Sequence, residues 1–501
     1  MAYLMGIDLG TSSLKTIIID DSGTVVAQSA ENYQFDTPFN GYAEQDPEVW
    51  WKACCRTVND ALKLFGKKPE EIAGVSFSGQ MHGSVLLDNK KELIRPSILH
   101  CDARSYEQVL NINQILGREK VRDKLLNPIY TGFMLPSLLW MLDEEPENYE
   151  KIEFVMLPKD YIKFKLTHEI NSDYSDASAT LAFDIENMKW SEDIISELGI
   201  KKEIFPKCYS TCEVIGSVTK KAAEETGLRA GTPVICGGAD QVMQSMGNGV
   251  VKKGQATVNI GTSGQVCIQS DRPIKNYELN TNTFCGYQRD KWYTMGAIMN
   301  AGLSLKWFNQ LFESTDYERL NREVANVPPG SHGVIFLPYL NGERTPHLNP
   351  NISGMFLGVN LRTKRPQLTR AVMEGVTYAL NQCIELINVL DLHTQELVAS
   401  GGGARSKAWL QLQADVYNIP LKVAKTEEQA CLGAAIAAGV GAGIFHNVEE
   451  GCARIVKYQD KIYEPIVENH KIYEEYYGLF KKTYVESRSV LEEVTKLGRR
   501  R

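Results

Sequence analysis

The sequence predicts an α/β protein built from two large domains, and three observations point there. Its 501 residues are too many for one ordinary core. Short buried strand patterns alternate with helical ones along the chain. Two glycine turns of the same design stand about half the chain apart. One is Gly6-Ile7-Asp8-Leu9-Gly10, followed by Thr11-Ser12-Ser13; the other is Asn259-Ile260-Gly261-Thr262-Ser263-Gly264.

Residues 6–20 read as a β-hairpin, with Lys15 on the outgoing strand Leu14-Lys15-Thr16-Ile17-Ile18-Ile19. Asp21-Ser22-Gly23 is a turn, and residues 24–27 continue the sheet. A helix follows over Pro47–Phe65, capped by Asp46 and opened by Pro47. Residues 72–77 form a buried strand ending in the loop Ser78-Gly79-Gln80-Met81-His82-Gly83. Ligands collect at such strand ends in α/β sheets. Residues 104–230 read as mainly helical, most clearly at 135–143 and 220–227. Another buried strand, residues 233–238, ends in a tight turn at Ala239-Asp240-Gln241. Beyond the second glycine hairpin come a strand at 334–340, a long helix at 371–390 and a strand at 396–399. The last of these runs into Ser400-Gly401-Gly402-Gly403-Ala404. The domain boundary is expected near 245–255, giving domains 1–248 and 249–501.

Hydrophobic content of 43% and charged content of 23% are those of a globular protein. A net charge of −8 argues against a nucleic-acid platform, and the basic cluster at 496–501 reads as a solvated helix end. The eleven cysteines lack zinc-site spacing and read as reduced thiols of a cytoplasmic protein. The N-terminus carries no signal-peptide pattern. The apolar stretch 431–445 is too short to span a bilayer and reads as a buried, closely packed helix. The helical region at 473–497 is expected to pack back onto the second domain, with a homodimer contact as its other use.

The paired hairpins suit a polyphosphate. Glycines let the backbone approach an anion, and amide N–H groups and hydroxyls bond its oxygens. Asp8 can hold a hydrated divalent metal. Gly401-Gly402-Gly403 is either an ordinary turn or bare backbone against an adenine and its ribose. Asp240 either caps the next helix or serves as the base that phosphoryl transfer requires. His82 fits a polar tip aimed into a pocket.

With these residues in view, the chain resembles the FGGY family of carbohydrate kinases, and within it the xylulose-kinase branch. The matching segments include Gly6 to Thr11, Gly79-Gln80-Met81-His82-Gly83, Leu157-Pro158-Lys159-Asp160-Tyr161 and Ser172-Asp173-Tyr174-Ser175-Asp176-Ala177. They continue through Gly237 to Asp240, Gly261-Thr262-Ser263-Gly264, Gly342-Glu343-Arg344-Thr345-Pro346 and Gly401 to Ser406. The resemblance implies two ribonuclease-H-like domains of the actin and hexokinase type, with ATP and sugar meeting in the cleft between them. It implies Asp240 as catalytic base, Asp8 near Mg²⁺, and Met81, His82, Asp240, Gln241, Asp102 and Arg104 on the sugar side. Thr11, Ser12, Ser13, Lys15, Gly261, Thr262, Ser263, Gly402, Gly403 and Ala404 fall to the nucleotide. Two departures stand out: His100-Cys101-Asp102-Ala103-Arg104 replaces Trp-Asn-Asp-x-Arg, and Gln241 replaces an asparagine.

The implied reaction is ATP-dependent conversion of D-xylulose to D-xylulose 5-phosphate. Ribulose, gluconate or glycerol kinases are the alternatives within the family. ATP-gated chaperones or filament proteins are the alternatives outside it, together with a catalytically idle sugar sensor.

Overall fold

A computed structural model describes residues 2–313 and 316–499. Met1, and Arg500 and Arg501 of the basic tail, lie outside the described residues. The first hairpin forms as the alternation requires. Strands β1 (Tyr3–Leu9) and β2 (Ser13–Asp20) pair antiparallel, with Asp8 opposite Lys15. Strand β3 (Val25–Asn32) extends the sheet antiparallel to β2. Helix α1 (Pro47–Phe65) begins where Asp46 accepts the Glu48 N–H at 2.9 Å, and ends at left-handed Gly66. Strand β4 (Ile72–Gly79) then joins β1 in parallel.

Between β4 and the domain boundary, helices α2 (Met134–Glu144), α3 (Pro158–Thr167) and α4 (Tyr174–Ser178) alternate with strands such as Phe154–Met156 and Ser172–Asp173. The segment is therefore more mixed than its sequence predicts, because strands of two or three residues carry no readable alternation. Strands β5 (Val214–Ser217) and β6 (Pro233–Ile235) complete the sheet in the order β5-β6-β4-β1-β2-β3, and the short strand Gly238–Ala239 pairs with the end of β4. Helix α5 (Asp240–Gly247) leaves that corner.

The second sheet contains β7 (Ala256–Ile260), β8 (Gly264–Ser270), β9 (Asn282–Cys285) and β10 (Trp292–Ile298). After helices α6 (Gly302–Gln310) and α7 (Arg365–Val389) it adds β11 (Leu397–Ser400). Helix α8 (Lys407–Tyr417) leads to the last strand, β12 (Leu421–Val423), and the order is β9-β10-β8-β7-β11-β12. The sheets repeat one topology. In each, a central strand pairs antiparallel with the strand after the glycine turn and parallel with a strand from farther along the chain. The turns close alike, by Gly10 N–H to Ser13 O at 2.9 Å and Gly261 N–H to Ser263 O at 3.0 Å. The twin motifs in the sequence thus reflect twin sheets.

Helix α9 (Gln429–Gly441) crosses α5 with backbones in contact. A Cβ on Gly247 would lie 1.8 Å from Gln429 O, and one on Gly433 would lie 1.9 Å from Met243 O. Only glycine permits this approach. The helix also lies on β1, where a Cβ on Gly6 would meet Cys431 O at 2.0 Å. The stretch read as a buried, closely packed helix is therefore one, and it returns from the second half of the chain to the first sheet. Helix α10 (Val467–Arg499) packs Tyr473, Tyr477, Phe480, Tyr484 and Leu491 into the core of the second sheet, as expected. All eleven cysteines are free, and among the described residues no helix is long and apolar enough to cross a membrane.

Candidate active site

Asp240 is the first residue of α5 rather than its cap; Ala239 holds the cap position. The corner before it depends on Gly237, whose φ is +73° and whose Cβ would stand 2.2 Å from Phe77 O. Ala239 then pairs with Gly79, and Gly238 with Ser78, which also pairs with Asp8. Asp8 and Asp240 therefore stand at neighbouring strand ends. The Asp240 Oδ1 is buried without a hydrogen-bond partner. Burial, then the charge of Asp8, pushes its carboxyl up to about 7 against hydrogen bonds from Gln241. Burial likewise raises Asp8, opposed by the Ser78 hydroxyl and Lys15. A carboxylate tuned to neutral pH with one oxygen left free is suited to accept a proton.

The loop after β4 faces the same corner. Met81 is buried in one cluster with Ala239, Val242 and Met243. His82 adopts φ +73°, stacks on Phe133 at 3.7 Å between ring centroids, and bonds Ala179 O through Nδ1 at 2.8 Å. Burial lowers its pKa to about 3, so the ring is neutral; with Nδ1 donating to a carbonyl, Nε2 is left as an acceptor. Gln80 joins this loop to the first hairpin. Its Oε1 accepts from the Thr11 hydroxyl at 3.0 Å, while its Nε2 is buried without a partner. Arg344 approaches from the second half of the chain, its guanidinium 5.3 Å from the Tyr130 ring centroid. Its backbone N–H donates to Glu343 Oε1 at 2.7 Å, and burial raises that carboxyl to about 8. Gln80 and Arg344 were absent from the sequence-derived site, although both stand in motifs quoted above.

On the nucleotide side, Gly261, Thr262, Gly402 and Gly403 line a cavity of about 460 Å³. The cavity is completed by Gly302, Lys306, Asn321 and Trp409, which the sequence did not single out. The signal for Gly302 is its place at a helix start after an apolar strand. Its N–H donates to Gly261 O at 2.8 Å, and a Cβ there would lie 2.4 Å from that oxygen. A second cavity, of about 480 Å³, opens on the other side of the glycine turn and is lined by Lys15, Gly401, Gly402 and Ala404. Lys15 Nζ meets Glu428 Oε2 at 2.7 Å at its rim. Thr11, Ser12 and Ser13 lie at the turn of the first hairpin. Ser263 lies at the second turn, where its hydroxyl accepts from Gln265 Nε2 at 2.8 Å.

Three residues expected at the sugar have other partners. Asp102 and Arg104 form a closed, buried ion pair at 2.8 Å. Asp102 also accepts the Ala43 N–H at 2.6 Å, while Arg104 pairs with Glu44 at 2.6 Å and stacks on Tyr42 at 3.8 Å. Their polar atoms brace this loop. Gln241 Oε1 accepts from Cys267 Sγ on β8 at 3.6 Å and its side chain also hydrogen-bonds Asp240, so it joins the start of α5 to the second sheet. Among the described residues the one acidic group with metal-ligand spacing is Asp160, Asp173 and Asp176, and the Lys159 ammonium already sits within it.

The N-terminal domain of the FGGY family of carbohydrate kinases matches residues 3–247, and its C-terminal domain matches residues 256–442. A xylulose kinase of Bacillus subtilis is 34% identical over 491 residues, 98% of each chain. A gluconokinase of the same organism is 32% identical over 448 residues, covering 87% of this chain and 86% of that one. The crystal structure of a xyloylose kinase from Brucella ovis superposes with a TM-score of 0.91 at 31% identity, covering 97% of this chain and 100% of that one.

Proposed function

The chain belongs to the FGGY family of carbohydrate kinases, and on that premise we propose that it phosphorylates the terminal hydroxyl of D-xylulose, forming D-xylulose 5-phosphate from ATP. The observation that carries this reading is the buried Asp240 carboxylate, whose Oδ1 has no hydrogen-bond partner, set where the Met81-His82 loop, the Asp8 strand end and the second sheet converge. Residues 1–248 then supply the sugar side and the base, and residues 249–501 the adenine cavity.

In the reaction, the sugar's terminal oxygen forms a bond to the γ-phosphorus as the bond to the bridging oxygen breaks, and ADP leaves. Asp240 takes the hydroxyl proton, a role its ionised form serves above about pH 7. Neutral His82 offers Nε2 to a sugar hydroxyl, and the buried Gln80 amide, short of an acceptor, offers its N–H groups. The twin turns, with Lys15, bind phosphate oxygens through N–H, hydroxyl and ammonium groups. Asp8, a buried carboxyl raised by burial, is the donor that fits a hydrated Mg²⁺ held through water. When bound, that ion neutralises charge on the β- and γ-phosphate oxygens. The contact of Arg344 with the Tyr130 ring screens this side of the corner from water, the competing nucleophile.

An ADP-release assay with D-xylulose, D-ribulose, gluconate and glycerol tests the reading. D-xylulose is expected to give the highest kcat/KM, and a preference for gluconate or glycerol overturns it.

A further inference from the structure

The segments Leu157-Pro158-Lys159-Asp160-Tyr161 and Ser172-Asp173-Tyr174-Ser175-Asp176-Ala177 have no part in the reaction as written, yet they carry four ionisable side chains with no exposure at all, and the equally buried Lys163 joins them. Lys159 Nζ meets Asp160 Oδ1 at 2.8 Å, Asp173 Oδ2 at 2.5 Å and Asp176 Oδ2 at 2.7 Å, and Lys163 Nζ shares Asp160 Oδ1 at 2.8 Å. Burying so many charges is costly, and apolar side chains of similar volume commonly do as well or better for stability. The cluster therefore calls for a role besides holding the fold.

Its outlets lead to the active corner. Asp173 Oδ1 accepts the Ser175 N–H at 2.9 Å, the Asp176 N–H at 3.2 Å and the Ser175 hydroxyl. With its proton given to Asp173, Ser175 Oγ accepts the Ala239 N–H at 2.9 Å. Ala239 is the residue before Asp240. On its other side the Lys159 stem lies under the sugar loop, where a Cβ on Gly79 would stand 2.6 Å from Lys159 Cβ. Gly79 and Ala239 are themselves paired. One buried ammonium thus ties the loop carrying Met81 and His82 to the corner carrying Asp240. That tie matters because Asp240 Oδ1 makes no hydrogen bond and Gln241, the next residue, supplies the hydrogen bonds its carboxyl does receive, so the aim of the carboxylate depends on where the corner is held.

We propose that Lys159, Asp173 and Ser175 are positioning residues for phosphoryl transfer, a buried chain that fixes the Ala239–Asp240 corner against the Gly79–Gly83 loop. This rests on Asp240 being the base. A general base must stand within hydrogen-bond reach of its proton, and a misplacement of about 1 Å can cost on the order of 100-fold in rate.

The test compares Ser175→Ala, Asp173→Asn and Asp240→Asn in the full-length enzyme, with D-xylulose and Mg-ATP as substrates and thermal stabilisation by Mg-ADP as the check of folding. Ser175→Ala is expected to lower kcat by about 10- to 100-fold, leave KM for ATP within about twofold, and move the acid limb of the kcat profile to lower pH as the loosened corner admits water. Near-normal kcat overturns the proposal, and so does a loss of kcat with an unmoved limb, which marks a merely structural role. If Ser175→Ala is not stabilised by Mg-ADP, Asp173→Asn decides. Reduced kcat with a moved limb supports the chain, and wild-type behaviour overturns it. Asp240→Asn separates the two readings: if it stays active, the base assignment fails and takes the proposal with it. If it is inactive while Ser175→Ala is normal, only the positioning chain fails.

Discussion

The clearest consequence of the carboxylate pair is a pH profile that one substitution should move by a calculable amount. The Asp240 carboxyl is pushed from 3.8 to about 7 by burial first and by Asp8 second. Catalysis needs its ionised form, so kcat/KM for the sugar should rise with pH and level off above about 7; at pH 6 about a tenth of the enzyme carries the base. Asp8 pairs with Ser78, and Ser78 with Gly238, just upstream of Asp240. Two strand spacings, about 10 Å, separate the backbones of Asp8 and Gly238, and that sets the scale of the distance between the two carboxylates. At an effective dielectric of about 20, two like charges at that distance repel by about 1.7 kcal/mol, equivalent to about one pH unit. Asp8→Asn should therefore move the acid limb from near 7 to near 6, while the plateau falls because the metal loses a carboxylate. The assay is kcat/KM for D-xylulose between pH 5 and 9 at fixed Mg-ATP. Ionisation of ATP is common to both enzymes, so the difference between the limbs isolates the protein. An unmoved limb, or one displaced to higher pH, would refute the coupling.

Other substitutions separate the two substrates. Gly403→Val places a side chain where even a Cβ lies 2.6 Å from Ile260 Cβ, at the wall of the cavity proposed for adenine. It should raise KM for ATP at least tenfold and leave KM for the sugar nearly unchanged, as read from initial rates with each substrate varied in turn. His82→Ala removes a ring stacked on Phe133 and bonded to Ala179. KM for the sugar should rise by about tenfold or more, the worth of one or two hydrogen bonds, and isothermal titration with Mg-ADP should show unaltered nucleotide affinity.

Much of this architecture was legible in the sequence because it is local. Alternation around Gly10 and Gly261 announces the hairpins, and Asp46-Pro47 announces the start of α1. Apolar residues on every face of residues 431–445 announce a buried helix. The features that were missed depend on partners distant in sequence. Nothing near Asp102 and Arg104 reveals that Glu44 and Tyr42 close around them. Gln241 gives no local sign of Cys267, which donates to it from the second sheet. Gly302 reads as a helix start and only the fold sets it against Gly261 O. Lys159 and the aspartates around it were recognised as motifs, but their meaning lies in contacts that three separate segments make with one another.

The most direct test of the account is the turnover of Asp240→Asn, measured on protein whose Mg-ADP affinity is intact. Removing the base should lower kcat by about 10²- to 10⁴-fold without loss of nucleotide binding. Turnover close to that of the unmodified enzyme would contradict the assignment of Asp240 and the mechanism built on it.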